Sequence, residues 1–182
     1  MEELDRRQAL VALHPTAPPA VDAVALGRPT PLIEFIFDTT RAVVNLIVTG
    51  TLNRHPHLNV IVPHVGSALP SIADRVSGYA KLPFSDRPFQ DIDVDAALAR
   101  LYCDLAGTPL PHGLRGLLRM APADHLLYGS DTPFTPSKRI EAGARELVQT
   151  DVLDDDEKRG MFTENAQALL ANRTRSPASP PG

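Results

Sequence analysis

Four short apolar runs, each closed by a polar or chain-breaking residue, set the limits on what this chain can fold into. Ala9-Leu-Val-Ala-Leu-His14 stops at Pro15, and Asn59-Val-Ile-Val-Pro-His64 ends in Val65-Gly66. Leu101-Tyr-Cys-Asp104 and Leu126-Leu-Tyr128 follow, the last leading into Gly129-Ser130-Asp131. Apolar runs this short, between breakers, are predicted to be buried strands. Between them lie segments with helical signals. Residues 32–53 place Phe35, Ala42, Val43, Leu46, Ile47 and Leu52 on one broad face. Helices are also predicted over Leu69–Ala80, Val94–Ala99, His112–Met120, Lys138–Thr150 and Asp155–Ala171, and a helix end over residues 2–8. Pro15 to Pro31 carries too many breakers for a helix. Strands alternating strictly with helices imply a parallel sheet covered by helices.

Length decides how much of such a fold is present. The chain has 182 residues, against roughly 250 for a complete eight-unit (β/α) barrel. The expected fold is therefore α/β, the C-terminal half of a (β/α)8 TIM-type barrel with about four parallel β/α units. An open doubly wound sheet is the competing arrangement, but the first β/α turn lacks its Gly-rich phosphate fingerprint. Residues 1–172 form the expected barrel part, and 173–182 a Pro/Ser-rich tail expected to be disordered. The net charge of −4 gives no basic footprint, which excludes nucleic acid and an anionic membrane surface as partners. No apolar stretch is long enough for a bilayer span or a signal peptide. The single cysteine, Cys103, excludes an internal disulfide framework and fits a cytoplasmic location.

Three polar residues sit directly after three of the runs: His14, His64 and Asp131. In a parallel β/α sheet the strand C-termini share one side, where active sites form. Imidazole and carboxylate together suit a zinc-type divalent metal. One histidine at a strand end is more often a satisfied polar residue, but three such residues shift the balance toward a site. His55-Pro-His57 is formally a His-x-His pair, yet it precedes its strand and belongs on the opposite face. His125 also precedes its strand. His112 is expected to start a helix, Cys103 to act as a small buried hydrophobe, and Asp104 to cap the loop after its strand, with lining of the pocket as its alternative.

The words around these residues occur in a specific order. His14-Pro15, His64-Val-Gly-Ser-Ala-Leu-Pro70, Tyr128-Gly-Ser-Asp-Thr-Pro-Phe134 and Glu164-Asn-Ala-Gln-Ala-Leu169 together resemble the amidohydrolase-related family that contains aminocarboxymuconate-semialdehyde, 6-methylsalicylate and γ-resorcylate decarboxylases. The resemblance runs over about residues 3–171. Phe35-Ile-Phe-Asp-Thr-Thr-Arg-Ala and Gly50-Thr-Leu-Asn-Arg resemble the 6-methylsalicylate branch. It implies that His14 and Asp131 are metal ligands and that His64 is the catalytic histidine that moves protons. It also implies that Arg75, eleven residues beyond His64, reaches the substrate carboxylate of a neighbouring subunit. A solvated position beside Asp74 is the alternative for Arg75.

One departure from the family's pattern bears on activity. The family carries a His-x-His pair on its first strand, and no residues before His14 match it. The chain is expected to be a truncated form in which metal binding and catalysis are weakened. The implied function is a metal-dependent carboxy-lyase for a small aromatic or unsaturated carboxylate, with zinc as cofactor and a homo-oligomeric state. A lactone or ester hydrolase of the same family is the alternative enzyme. A half-barrel that acts only by association is the alternative outside enzymology. Uncovered sheet edges and a half-core favour pairing. The chain is therefore expected to self-associate, and light scattering showing one monomer at all concentrations would refute this.

Overall fold

The computed structural model describes residues 1–82 and 92–174. The polar segment that the sequence reads from Pro83 to Asp93 and the Pro/Ser-rich tail over 173–182 lie mostly outside the described residues. Four strands form one sheet: β1 (Leu10–Ala12), β2 (Asn59–Val62), β3 (Tyr102–Asp104) and β4 (Leu126–Leu127). Their order is β1-β2-β3-β4, and every neighbouring pair is parallel. Ile61 of β2 pairs with Ala12 on one side and Tyr102 on the other. Successive strands laid side by side in chain order, with no reversal, match a barrel wall and not a doubly wound sheet. The half-barrel expectation holds: four parallel β/α units are present.

Side-chain alternation along each strand separates the two faces. Val60 and Val62 are buried while Ile61 between them is only half-buried. Val62, Cys103 and Leu126 join one continuous core with Val43 and Ile47 of helix Glu34–Val48, Leu69 of helix Leu69–Ala80, and Leu114 and Leu117 of helix Gly113–Leu117. Leu147 of helix Ser137–Gln149 and Met161 close it from the C-terminal side. The opposite face is exposed at Ala12 and half-buried at Ile61 and Asp104, while Leu127 beside Asp104 is buried. The sheet thus has one packed face and one that opens toward β1. Among the described residues, no helix is long and apolar enough to cross a membrane.

Two boundaries moved from their predicted positions for clear reasons. The helix expected over 32–53 breaks into Glu34–Val48 and Thr51–Arg54, because Gly50 adopts φ +67° between them. That left-handed conformation costs glycine little. The helix expected over 155–171 begins with a capping box, in which Asp154 accepts from the Asp156 and Glu157 amides. It then passes through a π-helical turn over Gly160–Glu164 before resuming at Asn165–Thr174. The turn lets Met161 O accept the Tyr128 N–H at 2.9 Å. Asn165 Nδ2 donates to Ala123 O at 3.0 Å and Leu126 O at 2.8 Å. The outer edge of β4 is therefore partly covered. Among the described residues, β1 has β2 as its one strand neighbour.

The core placement sets the stability response. Leu114 is 0% exposed, whereas Leu170 is 52% exposed. Leu114→Ala removes packed methyl groups and leaves a cavity, and should cost about 2–5 kcal/mol. Leu170→Ala should stay within about 0.5 kcal/mol of the parent. Urea denaturation of the two variants checks the contrast.

Candidate active-site cleft

His14, His64 and Asp131 are each delivered by the backbone just after a strand. β2 ends at Val62, and Pro63-His64-Val65-Gly66 turns sharply instead of continuing the strand. His64 (φ +56°), Val65 (φ +60°) and Ser67 (φ +56°) all lie in the left-handed region. Such conformations cost on the order of 1–3 kcal/mol each at a non-glycine residue. For a β-branched residue such as Val65 they are rarer still. Asp131 after β4 repeats the pattern at φ +59°. Strained backbone at two of the three candidates is a mark of a built site.

The turn at His64 is held from three sides. The His64 N–H donates to Asp104 Oδ1 at 2.9 Å. Ser67 Oγ donates to Pro63 O at 3.0 Å. The Ala68 N–H donates to Thr40 Oγ1 at 3.0 Å, and Thr40 itself donates to Ile36 O at 2.7 Å. Gly66, at φ +73°, lets the turn lie close to the core, since a Cβ there would meet Leu117 Cδ1 at 3.1 Å.

His14, His64 and Asp131 come together as walls of one cleft of about 240 Å³. Pro15, Pro31, Phe35, Ile36 and Phe134 complete its lining. The edge of the Phe134 ring approaches His14, with centroids 6.4 Å apart and planes at 66°. The cleft is thus apolar around three polar groups, the usual composition of a small-molecule site. Arg75 is exposed on helix Leu69–Ala80 and lines a separate apolar groove with Val44, Ile72, Val76 and Tyr79. It does not enter the cleft of its own chain. His55 and His57 precede β2 and lie outside the cleft, as expected, and the backbone N–H of His57 donates to Asp5 Oδ1 at 2.8 Å. His125 packs its ring flat on Tyr102 at 4.1 Å. His112 sits before helix Gly113–Leu117, but its side chain makes no capping hydrogen bond.

The donor chemistry of the cleft can be tested against a divalent metal. His14 Nδ1 lies 3.0 Å from Pro15 O. A carbonyl only accepts, so Nδ1 carries the proton, and in the neutral imidazole Nε2 then holds the lone pair. That is the arrangement of metal-ligating histidines, whose second nitrogen is anchored to a carbonyl or carboxylate. Asp131 Oδ2 accepts from Thr135 Oγ1 at 2.8 Å, which fixes the carboxylate as a ligating one would be. The two residues fit a metal in type and in anchoring. They do not make a full set: among the described residues, no three His, Cys, Asp or Glu side chains are gathered to hold an ion.

Several residues of the site had no assigned role in the sequence. Phe134 and Asp131 share one motif, yet only the aspartate stood out. Thr135 follows that motif directly, where a hydroxyl four residues beyond a carboxylate was an available signal. Phe35, Ile36 and Thr40 come from a helix that patterning marks only as amphipathic. Asp104 caps the loop after β3 as expected, accepting the Ala106 N–H at 3.0 Å, and it also reaches across to His64.

Comparison with known proteins assigns the chain to a family. The Amidohydrolase family model matches residues 1–171, and the chain belongs to that family. It is 30% identical over 181 residues to the 6-methylsalicylic acid decarboxylase of Aspergillus aculeatus, covering 97% of this chain and 55% of that protein. A crystal structure described as amidohydrolase II superposes with a TM-score of 0.85 at 37% identity, over 93% of this chain and 54% of the other. A dihydroxybenzoic acid decarboxylase from Polaromonas, with bound manganese and the inhibitor 2-nitroresorcinol, shares the fold. Its TM-score is 0.77 at 20% identity, with 96% of this chain and 53% of that one covered. The chain spans about half the length of the curated relatives it matches, 55% and 48% for the first two.

Cys103 stands apart from this chemistry. It is fully buried, and burial first, then the neighbouring Asp104 charge, push its thiol up to about 12. The thiolate is the reactive form, so at pH 8 the folded chain should leave a disulfide reagent unreacted. In denaturant, one thiol per chain should react within minutes. Fast reaction of the folded protein would overturn the assignment of Cys103 as inert packing.

Proposed function

We propose that this cleft is one share of the active site of a metal-dependent decarboxylase for a small, hydroxylated aromatic carboxylate. The carrying observation is the meeting of His14, His64 and Asp131 in a cleft walled by Phe35, Ile36 and Phe134. The aromatic and aliphatic walls match the faces of a flat ring. A volume of about 240 Å³ lies just below the usual range of ligand clefts, roughly 300–1,000 Å³, in keeping with a one-ring ligand. Names of the relatives point the same way, to aromatic acid decarboxylases.

Removing a carboxyl group from a ring requires the ring carbon to gain a proton. The bond to the carboxylate then breaks, carbon dioxide leaves, and its electron pair restores the ring. His64 is the group we assign to deliver that proton, since imidazole exchanges protons near neutral pH. His14 Nε2 and the Asp131 carboxylate would hold the divalent cation, zinc by ligand type or manganese as in the Polaromonas structure. Bound there, the cation would neutralise substrate oxygens and fix the ring in register. Arg75, exposed and outside its own cleft, is assigned to the substrate carboxylate of a neighbouring copy in a homo-oligomer, where its guanidinium can grip bidentately.

Catalytic zinc sites commonly use three protein ligands, so the 182-residue chain should bind zinc or manganese weakly. A chimera that places the N-terminal segment of the Aspergillus relative ahead of residue 1 should bind the ion stoichiometrically and release carbon dioxide. In that chimera His64→Ala should lower turnover by about 10²–10⁴-fold with metal retained, whereas Asp131→Ala should lose metal and turnover together. Metal analysis beside a carbon dioxide assay reads both. Metal lost in His64→Ala and kept in Asp131→Ala would reverse the assigned roles.

A further inference from the structure

We infer that Asp104 is a positioning residue, whose carboxylate locks the left-handed turn that presents His64 to the cleft. The inference deepens the reading of His64 as the proton donor and rests on it for its functional meaning. It comes from geometry outside the cleft lining. Asp104 ends β3, the strand beside β2, and the parallel register brings its side chain level with the end of β2. There Oδ1 accepts two backbone N–H groups, from His64 at 2.9 Å and Ala106 at 3.0 Å. The contact with His64 spans 40 residues of sequence and is charge-assisted.

Three features make this contact decisive for His64. First, His64 begins a succession of positive-φ residues, His64, Val65, Gly66 and Ser67, of which only one is glycine. Left alone, the other three favour strand or right-handed helix conformations. Second, His64 leaves its strand at this point, so its N–H has no place in the ladder and needs an acceptor elsewhere. Asp104 is the acceptor that the structure supplies. Third, the surroundings make room for the Asp104 side chain. A Cβ on Gly129 would come within 3.1 Å of Asp104 Cβ and Cγ. The niche for Asp104 is cut by a residue after β4, so three strand ends cooperate in placing one imidazole.

An acceptor role predicts rescue by an amide, whose oxygen can take the same N–H, and no rescue by alanine. The test uses the chain itself, labelled with ¹⁵N, and follows amide hydrogen exchange in the parent, Asp104→Asn and Asp104→Ala. The expected result is exchange at His64 and Ala106 faster by about tenfold or more in Asp104→Ala. Amides inside β2 and β3 should keep their protection, and the His64 ring resonances should shift. Asp104→Asn should restore most of the His64 protection and the ring positions. If His64 exchanges at the parent rate in Asp104→Ala, the inference is overturned. Equal loss in both variants also overturns it, because the charge and not the acceptor would then matter. Should the alanine variant fail to fold, His64 exchange in Asp104→Asn against Asp104→Leu in the same assay decides the point. The exchange data bear on Asp104 alone, and the turnover of His64→Ala bears on proton transfer, so the two readings fail separately.

Discussion

Parallel strand pairing is the constraint from which the site follows. Because β1 through β4 all run the same way, each strand releases the chain on the same side of the sheet. A helix must then carry it back before the next strand begins. His14, His64 and Asp131 are far apart in sequence, yet each follows the C-terminal end of its own strand, His14 and His64 by two residues and Asp131 by four. Their meeting in one cleft is a consequence of that repetition and needs no special long-range contact among them. An antiparallel arrangement would have sent alternate residues to opposite ends.

The sheet also bears the energetic load of the site. Turns through His64, Val65, Ser67 and Asp131 hold non-glycine residues at positive φ, and each such residue opposes folding by on the order of 1–3 kcal/mol. Burial of Val62, Leu114, Leu117 and Leu126 in the core contributes about 1.5–3 kcal/mol per large apolar side chain and works against that strain. Hydrogen bonds accepted by Asp104 and Thr40 and donated by Thr135 then choose one geometry among those the core permits. Packing supplies the stability and the polar contacts supply the aim.

The two faces of the sheet divide the labour differently from the two faces of a closed barrel. Its helix-facing side is finished, down to the β4 edge that Met161 and Asn165 partly cover. Its other side leaves Ala12 exposed and Ile61 half-buried, and Phe134 at the cleft stands 74% exposed. Large apolar groups exposed beside polar donors are the mark of a surface that binds something. The two anchored donors, His14 Nε2 and Asp131, belong to this open side of the molecule.

Much was already written in the sequence, because it is encoded locally. Apolar runs stopped by His14-Pro15, Val65-Gly66 and Gly129 specify strands and their ends, and the regular spacing of Leu69–Ala80 and Val94–Ala99 specifies helices to the residue. Placement of His14, His64 and Asp131 on one side follows from strand polarity alone. What the sequence could not carry was anything set by the meeting of distant segments. The left-handed turn at His64 looks like strand continuation until Asp104, on another strand, takes its N–H. The break at Gly50 and the π-helical turn at Gly160–Glu164 hide inside good helical patterns, since they answer to neighbours and not to propensity. Phe35 and Phe134 become walls of one cleft only when helix Glu34–Val48 docks beside the β4 loop. Local chemistry determined which elements form and which way their ends point; only close packing in three dimensions decided which backbone turns could be held strained and which side chains face the same space.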